Sequence, residues 1–167
     1  MPRFIHDVSA PLYIRRDNGR YREATPTEVA TTAASYMLSE LKGQPVLGNP
    51  ESVRSFLRQR LGHLDYEVFG VIFLDTRHRL IDYLELFRGT LDSCSIHPRE
   101  VVKEALYHNA AAAVFAHCHP SGDPTPSRSD IKITNRLRTA LDLIDVRVLD
   151  HFVVGSEIVS MAERGLI

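Results

Sequence analysis

The sequence predicts a mixed α/β layer fold with one central sheet. Three observations lead there. Short apolar or β-branched runs recur at "YEVFGVIFLD", "RLIDYLELF", "AAVFAH", "VRVLDHFVVG" and "EIVSM". Segments with helical spacing alternate with them, which is the pattern of helices packed on a sheet. The length, 167 residues, is enough for one domain with a proper core and too short for two comfortable ones.

The elements follow in order. The first two dozen residues carry little periodicity, and Arg3, Arg15, Arg16, Arg20 and Arg22 are diluted by Asp7, Asp17 and Glu23. They read as a solvated, mobile arm, with a weak DNA-contacting arm as the alternative. "TPTEVATTAASYMLSEL" reads as a helix. Thr25 caps it, Pro26 suits its first position, and Glu28 stands three residues after the cap. "KGQPVLGNP" is a Gly/Pro break, and the main boundary is placed there: residues 1–45 as an N-terminal arm and helix, 46–167 as the main domain. "PESVRSFLRQRLG" is a second helix, with Val53, Phe56, Leu57 and Leu61 at helical spacing and Gly62 as its stop.

"YEVFGVIFLD" and "RLIDYLELF", joined by "TRH", resemble a hairpin. "HPREVVKEALYHNA" is a helix opened by Pro98. "AAVFAH" is the short apolar run of a buried strand. A long amphipathic helix runs from Pro126 through "SRSDIKITNRLRTALDLI", and two strands close the chain.

Composition narrows the function. The net charge is −1, so no overall field draws the protein to nucleic acid or an anionic membrane. Cys94 and Cys118 form no CxxC pair, and free thiols in a reducing compartment are expected. No signal peptide is visible, and no apolar stretch nears the ~20 residues that span a bilayer. A cytoplasmic location is the expectation.

The chemistry concentrates in "HCHPSGDPTPSRSD". Residues two apart in a strand face one side. If the strand of "AAVFAH" runs on to position 119, His117 and His119 project together and Cys118 points away. Pro120 ends the strand, since it offers no donor to the ladder. Ser127 and Asp130 stand in the first turn of the next helix, where the helix dipole favours a carboxylate. The loop is short enough to return that turn to the strand end. His117, His119 and Asp130 would supply three ligands and leave a fourth tetrahedral position for water, the catalytic arrangement of zinc. Such a site needs a carboxylate near the metal but not on it. Glu67, Glu85 and Glu104 are the candidates. Glu67 is the unusual one, a charge opening an otherwise apolar strand.

His117, His119, Pro120, Ser127 and Asp130 spell H-x-H-P-x(6)-S-x-x-D, which resembles the JAMM (MPN+) zinc metalloprotease signature. The blocks from "FLDTRHRLIDYLELFRG" to "DHFVVG" closely resemble the RadC-like JAB domain over about residues 46 to 167. The resemblance implies a three-layer α/β/α sandwich related to the cytidine deaminase-like architecture. It also implies one zinc ion per chain on His117, His119 and Asp130, with water as the fourth ligand. It places Glu67 as general acid/base and Ser127 as a support for the tetrahedral oxyanion. Between the histidines, RadC-like proteins usually carry Asn, where this chain has Cys118, read as a small buried residue. No helix-hairpin-helix motif is seen ahead of the domain, and a short, single-domain form is expected. The H-x-E and P-C-x-x-C elements of deaminases are absent.

The expectation is therefore a zinc-dependent hydrolase acting on a peptide or isopeptide bond in a protein or peptide substrate. The alternative is a nucleic-acid-associated protein, since RadC-like proteins are commonly labelled as DNA repair proteins. A metal-free interaction module ranks last, because every ligand position is filled. No membrane partner is expected; a homodimer is open. Arg99 is noted as a possible anion contact, Asp123 as a loop acid, Gly89-Thr90 as a turn. For Asp150 and His151, local hydrogen bonding is preferred to a contact with the metal ligands.

Overall fold

A strand that is apolar on both faces must be covered on both. In the computed structural model, which describes residues 11–44, 50–89 and 96–167, strand β3 (Val68–Leu74) is buried at every position. Its side chains alternate between two cores. Val68, Ile72 and Leu74 join one; Phe69, Val71 and Phe73 join the other. The first core is closed by helices α1 (Pro26–Leu41) and α2 (Pro50–Leu61), through Ala34, Val53, Phe56, Leu57 and Leu61. The second is closed by α3 (Pro98–Tyr107) and α4 (Arg128–Asp142), through Val101, Ala105, Leu137 and Leu141. The result is the expected α/β/α sandwich.

The sheet between them is mixed. Its order is β4 (Leu80–Arg88), β3, β5 (Ala112–Cys118), β6 (Arg147–Val154), β7 (Ile158–Ser160). Strands β3 and β4 form the predicted hairpin, and β3 also runs antiparallel to β5. Strands β5 and β6 are parallel. Parallel neighbours need a crossover, and α4 supplies it. That crossover brings the first turn of α4 back to the end of β5.

The N-terminal segment departs from the expected mobile arm. Its described part forms a small hairpin, β1 (Tyr13–Arg15) paired antiparallel with β2 (Tyr21–Glu23). The turn between them works because Gly19 takes φ +78°, a left-handed conformation that glycine adopts at little cost. Three-residue strands are too short to show a period of two, which is why the sequence reads as featureless there. Residues 1–10 lie outside the described residues, as do 45–49 of the expected boundary segment, Thr90 and Cys94. Helix α1 packs on α2, and its Ala34 is fully buried in their common core.

The start of α1 is as predicted. The Thr25 hydroxyl accepts from the Glu28 amide, and the Glu28 carboxylate accepts from the Thr25 amide at 2.9 Å. Arg22, on β2, donates to the same carboxylate. Arg22 first and then Thr25 hold the Glu28 carboxyl at about 2, well below its ordinary 4.5. A depressed carboxylate stabilises the fold above the unfolded-state pKa, and that contribution is lost as pH falls towards about 2. Carbon-13 NMR of the Glu28 carboxyl is expected to titrate near 2, and Arg22→Ala to return it towards the ordinary value. A wild-type midpoint at the ordinary value would show that the hairpin does not dock on the helix start.

Among the described residues, no helix is long and apolar enough to cross a membrane.

Candidate metal centre

Strand β5 decides where its side chains go. Ala113 and Phe115 face the α3/α4 core, and His117 follows in the same phase. Cys118 faces the α1/α2 core, 2% exposed, and its thiol donates to the Tyr66 carbonyl at 3.4 Å. It is a free, buried thiol directed away from the histidines.

Asp130 reaches the histidines because of how α4 begins. Ser127 is the N-cap: its Oγ accepts from the Asp130 amide at 3.1 Å, while Asp130 Oδ2 accepts from the Ser127 amide at 2.6 Å. This reciprocal capping box fixes the carboxylate without using its second oxygen. Asp130 Oδ1 is buried and makes no hydrogen bond. It lies 3.3 Å from His117 Nε2, and Oδ2 lies 3.7 Å from His119 Nε2. The two Nε2 atoms are 2.9 Å apart. One ligand atom from each of His117, His119 and Asp130 therefore falls within 4.8 Å of the others, and the three could hold a metal ion.

The electrostatics agree. Burial is the largest influence on the Asp130 carboxyl and pushes its pKa up. The neighbouring imidazoles of His117 and His119, with help from Ser127, outweigh it, and the group is held far below the usual carboxylate range. Asp130 is the chief cause of the opposite shift at His119, whose pKa is raised. An ionised carboxylate with an unused buried oxygen is costly. A cation beside Oδ1 and the two imidazoles removes that cost, so the donor set suits a divalent metal.

The outer nitrogens are occupied too. His119 Nδ1 donates to the Asp123 carbonyl at 2.7 Å, so Asp123 serves the site through its backbone while its exposed carboxylate accepts from the Thr125 amide. His117 Nδ1 lies 2.8 Å from His151 Nε2, and His151 Nδ1 lies 2.6 Å from Thr134 Oγ1 on α4. The expectation of merely local bonding at 150–151 therefore fails for His151, and Asp150, though away from the metal ligands, reaches beyond its neighbours to β7. Asp150 accepts from the His151 amide, the Ser160 hydroxyl and the Ala162 amide. His151 is fully buried, and burial above all, then the His117 charge, keeps its pKa well below the ordinary value. It is a neutral imidazole.

A register shift explains why the sequence does not show the contact between His151 and His117. Ala113 pairs with Val148, but Val114 pairs with Asp150, leaving Leu149 as an extra residue. Unbroken alternation from Val148, which faces the α3/α4 core, would turn His151 to the opposite face. Beyond the shift it is Phe152 that faces the α1/α2 core, and His151 turns to His117. A bulge re-aims side chains in this way. The available sequence signal was a histidine inside the apolar run "VRVLDHFVVG".

The three candidate acids separate clearly. Glu85 bonds Arg60 at 2.6 Å, and Glu104 lies near His108 on the helix surface. Glu67, at the entrance to β3, lines a small crevice together with His117, Phe69 and Phe87, and its charge acts on His119. Arg99 pairs with its neighbour Glu100.

An α/β/α sandwich with a largely buried His-His-Asp cluster at the end of a central strand fits a JAB-type domain. Residues 47–166 match the RadC-like JAB domain, and this chain belongs to that family. It is 58% identical over 140 residues to a UPF0758 protein of Leptothrix cholodnii, covering 83% of this chain and 63% of that protein. It is 58% identical over 140 residues to a UPF0758 protein of Nitrosomonas eutropha, covering 83% and 62%. A UPF0758 protein of Vibrio cholerae is 59% identical over 115 residues, covering 69% of this chain and 73% of its own. The chain spans somewhat less than two thirds of the first two relatives.

Proposed function

We infer that the protein is a zinc-dependent hydrolase of the JAMM type, cleaving an amide bond in a peptide or an isopeptide-linked protein. The observation that carries this reading is the convergence of His117, His119 and Asp130 with an orphaned buried carboxylate oxygen, beside a crevice that also holds Glu67. Bound at those three residues, zinc supplies a Lewis acid that polarises a carbonyl and lowers the pKa of water towards ~7.

The remaining work falls to side chains of this chain. Glu67 takes a proton from the attacking water and passes it to the departing amine. Ser127 Oγ already accepts from the Asp130 amide, which leaves its hydroxyl hydrogen to donate to a developing oxyanion. Ser127 is exposed at the mouth of the site, as that role requires. The buried Cys118 thiol suits a reducing, cytoplasmic setting.

A test is incubation of the zinc-loaded chain with linear peptides and with peptides joined through a lysine ε-amine, in 18O-labelled water. The expected products are a free amine and a carboxylate carrying one labelled oxygen. Cleavage of a phosphodiester in place of any amide would contradict the reading.

A second reading, association with nucleic acid, draws on the β1–β2 hairpin. Tyr13 and Tyr21 are 61% and 68% exposed there, beside Arg15, Arg16 and Arg20. Exposed aromatics among arginines suit stacking on single-stranded bases. A salt-dependent affinity lost in Tyr13→Ala/Tyr21→Ala would support it; a flat titration would remove it.

A further inference from the structure

We propose that His151 is a positioning residue which, with Thr134, fixes the tautomer of His117 so that its Nε2 presents a lone pair to the metal. The proposal rests on the metal-site reading and deepens it.

The argument follows a single chain of hydrogen bonds. The Asp130 carbonyl can only accept, and Thr134 Oγ1 lies 2.6 Å from it, so the threonine donates its one hydrogen there. At His151 Nδ1, also 2.6 Å away, the same oxygen must then accept. His151 therefore carries its hydrogen on Nδ1 and leaves Nε2 with a lone pair. That lone pair faces His117 Nδ1 at 2.8 Å and accepts from it. With its hydrogen on Nδ1, His117 offers its lone pair at Nε2, the atom that faces Asp130 and His119. The relay begins at the backbone of one ligand, Asp130, and ends on the ring of another.

Among the described residues, the ring nitrogens of His151 bond only His117 and Thr134. Its ring meets Phe69 and Phe115 edge-on, with centroids 5.5 and 5.7 Å away. These rings confine it to the plane in which both nitrogens are engaged. Its backbone is held by Asp150, which bridges to β7 through Ser160. The extra residue at Leu149 delivers it to this face. A merely structural buried histidine needs none of this; an apolar side chain would fill the space. Outer partners of this kind orient a ligand and commonly change metal affinity about 10- to 100-fold when removed.

The test has two arms. Long-range 1H–15N NMR of the full chain, zinc-free and zinc-loaded, reads the imidazole tautomers directly. His151 is expected with its hydrogen on Nδ1 in both, and zinc-loaded His117 with its hydrogen on Nδ1. A hydrogen on His151 Nε2 would overturn the proposal. The second arm measures zinc affinity by competition with a chromophoric chelator. His151→Phe and Thr134→Val are each expected to weaken it about 10- to 100-fold, with the circular dichroism spectrum retained. Wild-type affinity in both would overturn the proposal. If His151→Phe does not fold, the near-isosteric Thr134→Val and the tautomer of the unaltered protein still decide it. Failure of wild type to take zinc would sink the metal-site reading instead, and the zinc-free tautomer would still be read.

Discussion

Replacing Glu67 by Gln is expected to slow hydrolysis about 100- to 10,000-fold, the usual contribution of a positioned general acid/base, while one zinc ion per chain is retained. Glu67 is set apart from the other acids by place. It enters β3 opposite the end of β5, since Phe69 pairs with His117 across the strands. It lines the crevice that His117 also lines. Glu85 and Glu104 are turned to Arg60 and to the surface of α3. The amide of Gln keeps the size of the side chain and loses the proton-accepting group, so the split between activity and metal content is the informative readout. Metal analysis and peptide turnover on one preparation make the check. Loss of zinc along with activity would mean that Glu67 is a ligand; unchanged turnover would move the base elsewhere.

Asp130→Asn is expected to weaken zinc binding by more than ~100-fold, beyond the effect of removing an outer partner. One oxygen of Asp130 is already committed to the Ser127 amide, and the other is buried with no hydrogen bond. Asn meets only one need at a time. With its oxygen on Ser127 it keeps the helix cap and aims an NH2 at the imidazoles. Turned round, it loses the cap. In either pose the negative charge that raises the His119 pKa is gone. The same coupling gives a pH dependence. A raised His119 pKa means that protons compete with zinc at higher pH than at an ordinary imidazole, so wild-type affinity falls as pH drops through that range. Zinc at 100 times its Kd is expected to stabilise wild type by about 2.7 kcal/mol and the variant by far less. Differential scanning calorimetry with and without zinc checks this, and equal stabilisation of both proteins would contradict it.

Much of the centre was legible before the structure because it depends on local periodicities. Strand β5 ends at Cys118, one residue short of the expected 119, but the His119 amide still bonds the Val154 carbonyl of β6 at 2.9 Å and keeps the two histidines together, while Ser127 and Asp130 meet by the three-residue reach of a capping box. Strand period and capping both act over a few residues. The unbroken apolar run of β5 likewise marked a strand buried on both faces. His151 escaped for a different reason. Its contact with His117 spans 34 residues, crosses a parallel pairing and depends on one extra residue in β6. A bulge inverts the facing of everything beyond it, and nothing in "VRVLDHFVVG" marks where it falls. The β1–β2 hairpin escaped because its three-residue strands are too short to show a repeat of the two-residue period.

The central claim is that one divalent ion is bound by His117, His119 and Asp130. The most direct measurement is anomalous diffraction at the zinc edge from crystals of the zinc-loaded chain. The account predicts a single strong peak enclosed by both Nε2 atoms and an Asp130 oxygen, with Glu67 beside it but off the metal. A refined structure with zinc supplied in excess and no peak at those three side chains would contradict it.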